Sequence, residues 1–126
     1  MLTLLGGAVL RNRGGIRVGL AVVALVAGST WLVGYYGDMG YDRVYAMADA
    51  EGRNALEEHA ALAHRWMAIY HVTAGTAMAA LLASWRWQKT LMVFAAVVLL
   101  LGTGSLVVGV RIADVGGQVR HREFRP

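Results

Sequence analysis

The chain contains no cysteine. Disulfides, thiolate zinc sites, iron–sulfur ligation and thiol nucleophiles are therefore excluded. The single proline is Pro126, so proline kinks no helix. Charge is scarce: Asp, Glu, Lys and Arg make up 16% of the 126 residues, against a 57% hydrophobic share. Soluble chains are roughly 45–50% apolar, and small domains bury only about two-thirds of their surface. A core of this size cannot hide so much apolar surface. Lipid is its natural solvent.

The net charge of +4 raises nucleic acid as a partner. The arginines, however, cluster just outside the apolar runs, where lipid headgroups would meet them, with no basic stripe interleaved with aromatics. No nucleic-acid partner is expected. Phosphate-cradling glycine motifs are absent, and Ser29, Ser84 and Ser105 lie in or beside apolar runs without a nearby histidine–acid pair. No enzymatic activity is expected.

What the chain does have is long apolar runs. Crossing a bilayer takes about 20 residues, and three runs qualify. The expected fold is an all-α integral membrane protein, one transmembrane domain over 1–126. Three transmembrane helices, at about 16–36, 55–87 and 90–113, form an antiparallel bundle. A polar outer connection covers 37–54 and a polar tail 114–126. Residues 1–10 are apolar but too short to span. Their arginines follow the apolar part and no A-x-A site is present, so a signal peptide does not fit. They are expected to form either an interfacial segment or the last turns of a helix that begins outside the chain.

Local signals refine this outline. Trp31, Tyr35, Tyr36, Trp85 and Trp87 read as interfacial anchors. Ala24 with Gly28, and Ser105 with Gly109, are small residues four apart where another helix can approach. Gly37, Gly40 and Gly52 punctuate the connection, whose middle, residues 42–50, could form a short surface helix. Asn54 followed by Glu57 matches a capping box and marks the start of the central helix. Gly116-Gly117 suggests a helix end and a sharp reversal.

Charge sets the expected orientation. Arg11, Arg13 and Arg17 precede the first crossing, and Arg86 and Lys89 follow the second, with no acid among them. Residues 37–65 instead hold Asp38, Asp42, Asp49, Glu51, Glu57 and Glu58. The positive-inside rule puts the N-terminus in the cytoplasm and the acidic connection outside. Three crossings then send the C-terminal tail outside too, where Arg111, Arg120, Arg122 and Arg125 are expected to dock on those carboxylates.

The central helix carries the candidate chemistry. Between Trp66 and Trp85 it has no formal charge, and His71 is the one histidine in that run. His64, Ala68, His71, Gly75, Met78 and Leu82 follow helical spacing and share one face, while His59 points elsewhere. A histidine within a span is a functional candidate. Gly75, one turn below His71, removes bulk where a flat macrocycle could lie, so His71 is a candidate axial ligand for haem b or another tetrapyrrole. His64 and His71 lie about 10 Å apart along the axis and cannot share one iron. Two further readings stand beside this one. In one, His71 hydrogen-bonds across the bundle to Thr103 or Ser105. In the other, His71 and Tyr70 serve a quinone site. Glu57, Glu58, His59 and His64 lack the spacing of a metal site and read as a solvated face, so no metal is expected.

GGQVRHREF at 116–124 resembles the Gly-Gly-Glu-Ile-Arg-His-Pro-Glu-Ile signature that ends the last helix of a group of uncharacterised bacterial four-helix membrane proteins. Leu56-Glu57-Glu58-His59 is similar to the Leu-x-Glu-x-His segment that opens their third helix. The resemblance implies a bacterial cytoplasmic (inner) membrane. Members usually begin with a helix bearing His-Phe-Pro. Here MLTLLGGAVLRNR resembles only its tail end, as in a shortened member or one whose start is assigned late. Some relatives appear joined to cytochrome c-like modules, which implies an electron-transfer setting. The expected role is an accessory or anchoring subunit of a larger membrane complex, with other membrane subunits or further copies as partners. The alternatives are a b-type haem or pigment-binding protein using His71, and a quinone-site subunit.

Overall fold

The computed structural model describes residues 1–121 and 123, the side chain of Gln88 excepted. The chain is 91% helical, without strands among these residues. Five helices follow in order: α1 Leu2–Val9, α2 Arg13–Gly28, α3 Thr30–Met47, α4 Ala50–Arg86 and α5 Leu91–Gln118. Three stretches are long and apolar enough to cross a membrane: Arg13–Met47 (α2 with α3), α4 and α5. Within their most apolar windows only 33%, 22% and 28% of residues are buried. Most of the apolar surface therefore faces outward, as in Leu25, Val26, Leu82, Leu100 and Val110. Contiguous outward apolar surface of this kind marks a face that meets a membrane or another protein.

Residues 2–9 are a helix packed on α2 and α5. Leu4 is fully buried. The turn that follows satisfies the end of α1: Asn12 N donates to Gly7 O (2.8 Å) and Arg11 N to Ala8 O (3.1 Å). This is a Schellman arrangement with Arg11 in the left-handed region at φ 50°. Asn12 also starts α2, its Oδ1 accepting from Gly15 N at 3.1 Å. Between the two helices the backbones nearly touch. A Cβ on Gly19 would lie 2.5 Å from Leu4 Cα, and one on Gly7 would lie 2.6 Å from Ile16 N. The close approach predicted at Ala24 and Gly28 is found only in part: Ala24 is buried, but a Cβ on Gly28 would meet nothing within 4 Å.

The main core joins α1, α2, α4 and α5 through Leu4, Ile16, Leu20, Ala77, Ala95 and Val98, with Ala80 and Leu91 beside them. Its alanines let α4 approach its neighbours closely, so dispersion contacts take the place of large side chains. At the same end Arg17 reaches from α2 to the last turn of α4. Its Nη2 donates to Ser84 O (2.9 Å) and its Nε to Ser84 Oγ (3.2 Å). Carbonyls in a helix's last turn lack intrahelical partners and sit at the negative end of the dipole. Arg17 answers both needs.

The opposite end differs from the expectation. The polar connection over 37–54 is almost entirely helix: α3 runs on to Met47, and only Ala48 and Asp49 separate it from α4. Gly37 and Gly40 sit inside a helix, so they smooth its face without breaking it. The capping residue is Asp49, whose Oδ1 accepts from Gly52 N at 2.8 Å, and not Asn54. An aspartate three residues before that amide starts α4 five residues early. Arg53 closes the corner by donating to Tyr45 O and Ala48 O, with its guanidinium 5.0 Å from the Tyr45 ring centroid.

Helix α5 also outruns its expected end, continuing through Gly116-Gly117 to Gln118. Its final turns dock on the start of α4, but apolar packing holds them there: Val119 packs with Ala55 and Leu56, backed by Tyr41, Val44 and Tyr45. Among the described residues Arg111 and Arg120 form no ion pair. The expected contributions of Arg122 and Arg125 lie outside those residues.

Candidate functional site

The buried stripe of α4 consists of small residues, Thr73, Ala77, Ala80 and Ser84, spaced at four, three and four. This spacing fixes the rotation of the helix, and with it the direction of every other face. Thr73 meets α5, its Oγ1 lying 3.1 Å from Ser105 Oγ. Each hydroxyl also reaches its own helix, Thr73 to Ile69 O (2.7 Å) and Ser105 to Leu101 O (2.9 Å). Two hydroxyl hydrogens thus serve three contacts, and all the oxygens stay partnered in a buried interface.

One turn further along, Tyr70 Oη donates to Ser105 O at 2.9 Å. A Cβ on Gly109 would lie 2.9 Å from the Tyr70 Oη. The Ser105–Gly109 notch is therefore the seat of a phenol.

The predicted histidine face looks the other way. His64, Ala68, His71, Gly75, Met78 and Leu82 are all exposed. His71 makes no hydrogen bond to Thr103 or Ser105. The cross-bundle polar contact belongs to Thr73 and Tyr70, and Thr103 Oγ1 bonds its own helix at Leu99 O. A Cβ on Gly75 would meet nothing within 4 Å, so the surface beside His71 is open and smooth. Tyr70 turns inward and His71 outward, so the two do not converge on one ligand. His64 reaches α3, with Nε2 3.3 Å from Asp38 Oδ1 at the exposed end of this face.

Along its length α3 meets α4 through side chains, Met67 lying on Gly34 and His64 beside Asp38, and no residue of α3 is fully buried. The chain is interrupted at Gly28-Ser29-Thr30, where Ser29 Oγ and Thr30 Oγ1 bond back to Val26 O and Ala27 O. Hydroxyls that bond back in this way commonly bend helices. The result is a cleft of ≈ 590 Å³ bounded by α3, α4 and α5. Its floor is glycine and alanine, and His59, His64 and Tyr70 line it from α4. His59 Nδ1 lies 2.9 Å from Ile112 O, and its ring packs over Gly116. A carbonyl only accepts, so Nδ1 carries the proton and Nε2 is an acceptor.

Sequence reasoning singled out His64, His71 and Gly75 and set His59 aside. The structure puts His59 and Tyr70 in the cleft, His64 at its edge, and His71 and Gly75 on the outward surface. A signal for the cleft existed in Gly34, Gly37 and Gly40, three glycines at helical spacing on one face. Compared with known proteins, the chain matches no family model, no curated protein and no solved structure.

Proposed function

We propose that the chain is a small integral membrane accessory or anchoring subunit of a larger complex, and that the outward face around His71 is where another chain covers it. In this reading α2–α3, α4 and α5 cross a bacterial cytoplasmic membrane as an antiparallel bundle, with the N-terminus inside and the α3–α4 corner and C-terminal end outside. The resemblance to four-helix membrane proteins adds electron transfer as the setting.

The observation that carries the proposal is the direction of His71. Polar groups within a span face protein or a water-filled cavity, because burying an unpartnered one in hydrocarbon is costly. His71 faces neither in this chain, and Ala68 and Gly75 on either side leave room for a second backbone. The haem reading uses the same surface. This chain supplies one axial nitrogen, so a tetrapyrrole there would be held jointly with a second chain.

A photo-crosslinking amino acid at Ala68, compared with one at Val107 on the outward face of α5, tests the proposal in native membranes. Protein adducts are expected from Ala68 and lipid adducts from Val107. Lipid adducts alone from both positions would contradict it. A Soret band in the purified protein that disappears with His71→Ala would assign the face to a tetrapyrrole instead.

A further inference from the structure

We infer that the cleft among α3, α4 and α5 binds a neutral, lipid-soluble molecule through its hydroxyl groups, of the hydroquinone (quinol) class. This rests on different residues from the subunit proposal and is independent of it.

Two polar side chains of the α4 wall, Tyr70 and His59, have a donor already engaged within the protein. Tyr70 gives its hydroxyl hydrogen to Ser105 O, and His59 gives Nδ1–H to Ile112 O. What each offers the cleft is a lone pair: the phenol oxygen and Nε2 of the His59 tautomer that this bond selects. His64 pairs with Asp38 at the exposed edge. A wall of acceptors selects a ligand that donates. A hydroquinone has two hydroxyl donors where the corresponding quinone has only carbonyl acceptors. Tyr36 and Tyr41 line the α3 side, with hydroxyls that make no hydrogen bond among the described residues and can serve in either sense.

Charge and size point the same way. No lysine or arginine lines the cleft, and its one carboxylate, Asp38, is paired with His64. An anionic headgroup or fatty-acid carboxylate would meet no lysine or arginine there and would face that carboxylate. The volume of ≈ 590 Å³ falls within the roughly 300–1,000 Å³ of small-molecule clefts, and the lining is mostly apolar. From His59 to Tyr70 is eleven residues, about 16 Å along α4, enough for a ring and part of an attached chain. Binding alone is proposed, with no redox step.

The test uses the full chain in nanodiscs at about pH 8, where imidazole in general is uncharged. It is titrated anaerobically with decylubiquinol and, separately, with decylubiquinone, and tryptophan quenching and thermal midpoint are read. Saturable binding of the quinol at least about tenfold tighter than the quinone is expected. Gly37→Phe should fill the cleft and weaken quinol binding about tenfold or more. A Cβ at Gly37 meets nothing within 4 Å, and glycine is a poor helix former, so the variant should fold. Tyr70→Phe should weaken the quinol and leave the quinone unchanged. Equal affinity for the two forms, unsaturable quenching, unaltered binding by Gly37→Phe, or full competition by dodecanoate would each overturn the assignment.

Discussion

Replacing Gly19 by leucine is expected to unseat α1 and cost about 1–3 kcal/mol, the usual range for overpacking a tight interface. The cause is backbone against backbone. The new Cβ would lie 2.5 Å from Leu4 Cα and 2.7 Å from Leu4 N, and no rotamer change relieves a main-chain clash. Separating the helices exposes Leu4, now fully buried. Gly28→Ala is the control, since its Cβ enters open space. That change should be neutral or stabilising by up to about 1 kcal/mol, because alanine favours helix and restricts the unfolded chain. Chemical unfolding in mixed micelles, followed by circular dichroism, measures both. Equal behaviour of the two variants would disprove the close approach of α1 and α2.

The second large effect is expected from Arg17→Ala. A hydrogen bond to a charged group contributes about 1.5–3 kcal/mol, and Arg17 makes two to Ser84, one of the most deeply buried polar residues. Without the guanidinium, the Ser84 carbonyl at the end of α4 loses its partner while staying out of water. Arg17→Lys keeps the charge near the helix end but offers no planar fork, so it should recover only part of the loss. Ser84→Ala should cost less, because the 2.9 Å bond from Arg17 goes to the Ser84 carbonyl and does not need the hydroxyl. An Arg17→Ala variant as stable as the parent would remove Arg17 from this role.

Much of the architecture was legible because it rests on length and hydropathy. The three stretches long and apolar enough to cross a membrane, and the apolar N-terminal segment, needed only runs of apolar residues and their flanking charges. The boundaries were harder. Asn54-x-x-Glu57 looks like the better cap, yet Asp49 is the residue whose carboxylate meets an unpaired amide. Gly37, Gly40 and Gly116 look like breaks. In the structure they are places where another surface approaches or a cleft opens, and helical hydrogen bonding runs straight through them.

The site was legible as a set of faces but not as directions. Helical periodicity says that His64, His71 and Gly75 lie together, not whether they look at α5 or away from it. The stripe of Thr73, Ala77, Ala80 and Ser84 held that information, since small residues mark the side where helices meet. His59 escaped notice because its partner is the carbonyl of Ile112, 53 residues away and invisible to any side-chain pattern.

The central claim is that another chain covers the His71 face. Extracting the protein directly from its own membrane in polymer-bounded nanodiscs and weighing the particles by native mass spectrometry tests it most directly. The 13.6 kDa chain is expected to be released only within a larger assembly. His71→Leu, which leaves the chain's own fold intact, is expected to shift much of it to the free chain. A parent protein found throughout as a single 13.6 kDa chain, colourless and indifferent to His71→Leu, would rule out a covering chain.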